Sequence, residues 1–88
     1  MYTANDIKAM NNTTARKVAE GMAIELTGTE RFKVDLAERV GVTRDAVNKW
    51  FSSTGRPPAI VILYMQAELA RRDAQGKLDN LKSALDFL

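Results

Sequence analysis

The segment Lys33 to Ser52, KVDLAERVGVTRDAVNKWFS, decides how this chain folds. Its apolar residues form two short stripes whose members lie one, three and four positions apart, as one face of an α-helix requires. The stripes are Leu36, Ala37 and Val40, followed by Ala46, Val47 and Trp50. The pattern predicts two consecutive short helices.

The link between these helices is short. Gly41 separates the stripes, and only Val42 and Thr43 follow it before the second helix. Glycine readily adopts the positive φ that ends a helix, and the threonine hydroxyl is a good N-cap. Because so short a link disfavours antiparallel packing, we expect a steep crossing, the helix-turn-helix geometry. The small side chain of Ala37 fits such a crossing.

The segment resembles the helix-turn-helix of the phage repressor class, the Cro and CI group. The matching positions are the small Ala37, the turn glycine Gly41 and the apolar residues Leu36, Val40, Val42, Val47 and Trp50. A wider stretch, from Met22 to about Leu69, is similar to the phage CII-like transcriptional activators. Its order is an apolar helix, Gly-Thr-Glu at residues 28–30, the two-helix unit, a proline-bearing link and a very apolar helix. The resemblance implies DNA binding.

Composition excludes several classes of function. The chain of 88 residues is 45% hydrophobic and 27% charged, as expected for one folded domain. It has no cysteine and no histidine, which removes thiolate metal sites and the usual general base. No carboxylate is paired with a base, a phosphate loop or a metal constellation, so we predict no enzyme and no cofactor. The absence of a signal pattern and of a membrane-length apolar run predicts a cytoplasmic protein.

Positive charge is concentrated on the two-helix segment. Residues 31–56 carry six basic and three acidic side chains, a net charge of +3, whereas residues 57–88 carry four of each. Residues 1–30 have a net charge of −1, with three basic and four acidic groups. A DNA backbone would require this excess where the motif lies.

The residues before this segment predict scaffold. Ala4, Ile7 and Met10 are three apart and indicate a short packing helix or a frayed end, capped by Thr3 or Asn5. Residues 13–27 predict an amphipathic helix that Gly28 ends, in which Gly21 marks a close helix contact. We expect Thr29 to cap the helix that follows.

The residues after the segment predict a loop and two more helices. Residues 52–58 form the loop, and Pro58 suits the first turn of an apolar helix that Gly76 ends. A last helix from about Lys77 carries leucines at alternating spacings of three and four. The fold is therefore predicted as all-α, a small bundle of four to five helices, with residues 1–58 as the DNA-binding core and 59–88 for packing and oligomerisation.

Self-association is the interpretation we prefer for the apolar surplus of residues 59–88, because an exposed patch of that size would be a liability. The alternative is that the last helix folds back on its own domain. The predicted oligomer interface consists of Ile60, Ile62, Leu63, Leu78, Leu81, Leu85 and Leu88.

Outward positions of the predicted helix 43–51 carry groove chemistry. We expect base contacts from Arg44, Asp45, Asn48 and Lys49, since these side chains match the donor and acceptor patterns of base edges. Candidates for contacts to the DNA backbone are Lys33, Arg39, Thr43, Ser52 and Arg56. Arg44 and Asp45 are also ordinary first-turn residues, and Trp50 is expected in the core rather than stacked on a base.

These observations favour a sequence-specific transcription regulator of phage or prophage type. Its expected partners are double-stranded DNA and itself, as a homodimer or homotetramer, with RNA polymerase a further candidate and no membrane. Two alternatives stay open, a protein-protein interaction module with this fold and an architectural or excision factor.

Overall fold

The computed structural model describes residues 1–86 and folds them into five α-helices without a strand. The helices are α1 (Ala4–Ala9), α2 (Asn12–Thr27), α3 (Lys33–Val40), α4 (Arg44–Trp50) and α5 (Ala59–Asp86). The predicted all-α class and the predicted number of helices are confirmed. None of these helices combines the length and apolar character of a transmembrane span.

One hydrophobic core draws on all five helices. Its fully buried side chains include Ile7 of α1, Leu26 of α2, Leu36 of α3, Val47 of α4 and Ile62 of α5. The buried face of α2 otherwise consists of the alanines at 15, 19 and 23. Because these side chains are small, α5 packs closely along α2, and this is the most extensive helix pair in the fold.

The N-terminal residues belong to this packed body. The Thr3 hydroxyl accepts a hydrogen bond from the Asp6 N–H, and the Asp6 carboxylate accepts one from the Thr3 N–H at 2.9 Å, a capping box. This bond lowers the pKa of Asp6. The Gln66 amide of α5 exchanges two 2.8 Å hydrogen bonds with the backbone of Tyr2. Of the two interpretations of residues 1–12, the packing helix is therefore the one observed.

Glycine ends two of the helices as predicted. Gly28 follows α2 with φ 74° and Gly41 follows α3 with φ 73°, a conformation that other residues adopt only with strain. Thr29, by contrast, was wrongly predicted to cap α3. That helix begins four residues later, and the Thr29 hydroxyl instead accepts a hydrogen bond from the N–H of Arg31.

Two arginines hold the loop between α4 and α5 against the body. The Arg56 guanidinium donates to the carbonyls of Ile7 and Met10, both at 2.6 Å, where α1 ends. Arg16 of α2 donates to the carbonyl of Gly55, also at 2.6 Å. These bonds add side-chain donors to carbonyl groups at the end of α1 and in the loop, where the helical hydrogen-bond ladder stops.

Helix α5 is continuous, and the predicted break at Gly76 is wrong. The helix runs for 28 residues through this glycine. A helical glycine costs only about 1 kcal/mol relative to alanine, so its presence alone does not end a helix. Residues 71–86 are exposed along their whole length and project from the body, which gives the molecule an extent of 56 Å. Gly21 is likewise free of close neighbours, which contradicts the predicted helix contact.

The predicted oligomer interface is only partly available to another chain. Ile62 is completely buried in the core of its own chain, so its assignment to the interface is wrong. Leu63 is half-buried and packs against the same core. Ile60 points away from the core and is 72% exposed. The leucines at 78, 81 and 85 are exposed as well. Leu88 lies outside the described residues.

Candidate nucleic-acid interface

Helix α4 is fixed to the body from below and at both ends. Thr43 caps it, since its hydroxyl accepts a hydrogen bond from the Ala46 N–H at 3.2 Å, as predicted. Val47 lies fully buried beneath the helix. Phe51 packs its ring edge-to-face on Phe32 at 5.0 Å between centroids, which joins the end of α4 to the start of α3. The outer face of α4 is therefore held in a defined orientation.

This outer face carries the four side chains that were predicted to contact bases. Arg44, Asp45, Asn48 and Lys49 are all exposed. Within residues 1–86 their side chains take part in no hydrogen bond and no ion pair under ordinary distance limits. Their donors and acceptors are thus available to a ligand.

A shallow groove beside α4 adds two further cations. Arg44 and Asn48 line it together with Arg31, Lys33, Val34 and the acidic Glu30. The fold thereby brings Lys33, a predicted backbone contact, next to two predicted base contacts. Arg31 was counted in the positive charge of the segment but not assigned a role. Its distance of 13 positions from Arg44 hid the proximity, which depends on how α3 crosses α4.

The other candidates for backbone contacts divide into two groups. Thr43 and Ser52 are exposed at opposite ends of α4, although the Ser52 hydroxyl donates to the Lys49 carbonyl at 2.8 Å. Arg39 is exposed but lies on a different groove, together with Trp50 and Tyr64. Arg56 is half-buried and its guanidinium is committed to the carbonyls of α1. Its assignment to DNA is withdrawn for this reason.

That second groove is apolar. It lies where the end of α3, the end of α4 and the start of α5 meet, and Val42, Trp50, Ile60 and Tyr64 line it. Trp50 is half-buried and packs against the core, as the helical stripe predicted. Val42, one of the apolar positions on which the resemblance rests, is 38% exposed and lines this groove.

No group of three or more carboxylates in the described residues is arranged to hold a metal ion. Comparisons of the chain with protein-family models, with curated proteins and with solved structures found no match.

Proposed function

We propose that this protein is a sequence-specific DNA-binding transcription regulator of phage or prophage type that acts in the cytoplasm as a homo-oligomer. In this proposal α3 and α4 form a helix-turn-helix, and α4 enters the major groove. One observation carries the proposal. A helix capped by Thr43 and anchored by Val47 presents four polar side chains that have no partner within the described part of the chain.

The side chains differ in what they would recognise. Arg44 suits the O6 and N7 acceptors of guanine, and Asn48 suits the N6 and N7 groups of adenine. Asp45 suits the N4 donor of cytosine, and Lys49 suits a phosphate or a base further along. A bidentate contact discriminates between bases by about 1–3 kcal/mol.

Phosphate contacts would come from the groove beside α4. Arg31 and Lys33 line it with Arg44 and with one carboxylate, Glu30, so the groove keeps a net positive charge. A duplex held against Arg44 and Asn48 would bring a strand of phosphates near both cations. Thr43 would donate its hydroxyl proton at the start of α4, whereas the Ser52 hydroxyl already donates to the Lys49 carbonyl. Phosphate contacts of this kind set the register of a protein on DNA without reading its sequence.

Selection of bound sites from random DNA tests the assignment of Asn48. We expect Asn48→Ala to relax base preference at one position by about 1–3 kcal/mol and to leave the melting temperature unchanged. The matched control is Asn80→Ala, which removes the same group from an exposed position on α5. If both variants select the same sites as the unaltered chain, α4 does not read bases through Asn48.

A salt titration separates base reading from phosphate binding. Arg31→Ala should weaken binding to all sequences alike and should lower the slope of log K against log salt by about one. Arg72→Ala, an exposed arginine on α5, is the control for net charge. DNA binding that Arg31→Ala weakens, but that selects no sequence from random DNA, would indicate an architectural factor. The absence of DNA binding at low salt would indicate an interaction module.

A further inference from the structure

The outward face of α5 carries one continuous stripe along nearly the whole helix. Its members alternate at spacings of four and three, the repeat of a helix that packs against another helix. They are Ile60, Tyr64, Ala67, Arg71, Ala74, Leu78, Leu81 and Leu85; Tyr64 is half-buried against the core and the others are exposed. At about 100° per residue, Ile60 lies on the side of α5 opposite Ile62, which is in the core. Leu81 and Leu85 are 64% and 65% exposed.

We propose that a second copy of this chain packs antiparallel along this entire stripe. In this register Leu85 lies against the partner's Ile60, Leu81 against the partner's Tyr64 and Leu78 against the partner's Ala67. Each pair has the same sum of residue numbers, so one two-fold axis between residues 72 and 73 relates all of them. The interface is therefore isologous.

The apolar groove supplies the end of this interface. Ile60 and Tyr64 belong both to the stripe and to the groove, and Val42 and Trp50 complete its walls. In the antiparallel arrangement the partner's leucines at 81 and 85 lie over this groove. An apolar helix face laid into an apolar groove is a common mode of recognition, and it would cover the exposed surface of Ile60 and Val42.

Charge at the flank selects the antiparallel direction. A parallel pair would place Lys77 beside the partner's Lys82, whereas in the antiparallel pair Lys77 lies beside the partner's Ala70. Both directions bring the two copies of Arg71 close together, about 4.5 Å apart along the axis in the antiparallel pair. There Arg71 lies against the partner's Ala74, whose small side chain leaves room for the arginine stem. Glu68, 2.8 Å from the Arg71 guanidinium in the same chain, is already in position as its counter-ion.

Length selects the full overlap. The stripe from Ile60 to Leu85 covers nearly four heptads and about 38 Å at 1.5 Å per residue. The leucines at 78, 81 and 85 alone cover little more than one heptad, whereas a sustained helix pairing requires about three or four. A pair formed only by the projecting ends would therefore be too short to be stable.

The arrangement has a consequence that rests on the proposed function. Val42 precedes α4, Trp50 is its last residue, and both share a groove with Ile60, so each α4 lies near one end of the stripe. The two copies of Ile60 are about 38 Å apart along the helix axis. This is close to the 34–36 Å that separates half-sites one turn of DNA apart.

Disulfide cross-linking tests direction and register, because the natural chain has no cysteine. A mixture of Ala67→Cys and Leu78→Cys chains, mildly oxidised without DNA, should yield mainly the mixed dimer. Leu78→Cys alone should cross-link poorly, since its two copies would be about 16 Å apart in the antiparallel pair. Efficient cross-linking of Leu78→Cys alone would show a parallel pair and overturn the proposal, as would the absence of the mixed dimer.

Sedimentation of charged variants tests the full overlap. Leu85→Asp and Ile60→Asp should each raise the dimer dissociation constant at least tenfold, because the two residues contact each other. Asn80→Asp adds the same charge on the opposite face of α5 and should leave the constant unchanged. Circular dichroism should show that Leu85→Asp and Ile60→Asp are folded, since neither Leu85 nor Ile60 contributes to the core.

Dimerisation unaffected by Ile60→Asp would overturn the proposed register, and a chain that sediments as a monomer at all concentrations would overturn the interface. Both measurements are made without DNA. Their failure would thus leave the assignment of Arg44 and Asn48 intact, while unchanged base selection by Asn48→Ala would count against base reading and leave the dimer intact.

Discussion

The packed body, residues 1–70, and the projecting half of α5, residues 71–86, are both helical but are stabilised differently. The body buries side chains from all five helices in one core. The projecting half is exposed at every residue. A helix of this length with few tertiary contacts is marginal in water. The projecting half is therefore the region for which we propose a partner, whereas the body buries its own core.

The largest expected effect contrasts one apolar side chain from each region. Ile62→Ala removes a fully buried side chain and should lower the free energy of unfolding by about 2–5 kcal/mol. Leu81→Ala, in the projecting half, should change it by less than about 0.5 kcal/mol in a dilute solution of monomers. Urea denaturation followed by circular dichroism measures both values.

The order of the two effects should reverse when the dimer dissociation constant is measured instead of the free energy of unfolding. Leu81→Ala should weaken the dimer, whereas Ile62→Ala acts on the core of each chain. A loss of several kcal/mol for Leu81→Ala in the dilute monomer would mean that the projecting half folds back on the body and that the comparison is mistaken.

An intermediate effect is expected for the arginine that joins the loop to α1. Arg56→Ala leaves the carbonyls of Ile7 and Met10 without this donor in a partly buried site. Removal of one partner from such a hydrogen bond costs about 1–3 kcal/mol, which thermal unfolding should detect. Arg72→Ala, in the projecting half, has no such bond within the described residues and should cost less than about 0.5 kcal/mol.

DNA binding gives a second measure of Arg56. The variant should bind DNA with little change once conditions keep it folded, because its guanidinium faces the body. A specific loss of DNA affinity in a fully folded Arg56→Ala protein would restore the contact that the sequence predicted.

The two-helix segment was predictable because its signals are local. Gly41 and Thr43 specify a helix end and a helix start by their own chemistry. The burial of Val47 follows from the spacing of one, three and four positions between the apolar residues of its stripe. The polar residues on the outer face of α4 could be identified because they do not belong to that apolar stripe. Whether these residues contact DNA is a separate question, which the fold leaves as a prediction.

The predictions that failed depended on distant neighbours. The sequence gives no reason to treat Arg56 differently from Arg44. Only the nearby carbonyls at the end of α1, to which the Arg56 guanidinium donates, direct it toward the body. Ile60 and Ile62 are also alike until the packing of α5 on α2 decides which of them is buried. Gly76 alone predicts a helix end, but no following residue enforces a turn there and the helix continues.

The smallest expected effect uses one glycine from each region. Neither Gly21 in α2 nor Gly76 in α5 has a neighbour that an added Cβ would meet, and neither has a positive φ. Gly21→Ala should therefore raise the free energy of global unfolding by about 0.5–1 kcal/mol. Gly76→Ala should leave global unfolding of the dilute monomer unchanged. It should slow amide hydrogen exchange in residues 71–86 about two- to fivefold, the same free energy expressed locally.

If Gly76→Ala instead raised global stability as much as Gly21→Ala, the two regions would unfold as one cooperative unit. The projecting half would then be coupled to the core within a single chain, and the argument for a partner there would lose its basis.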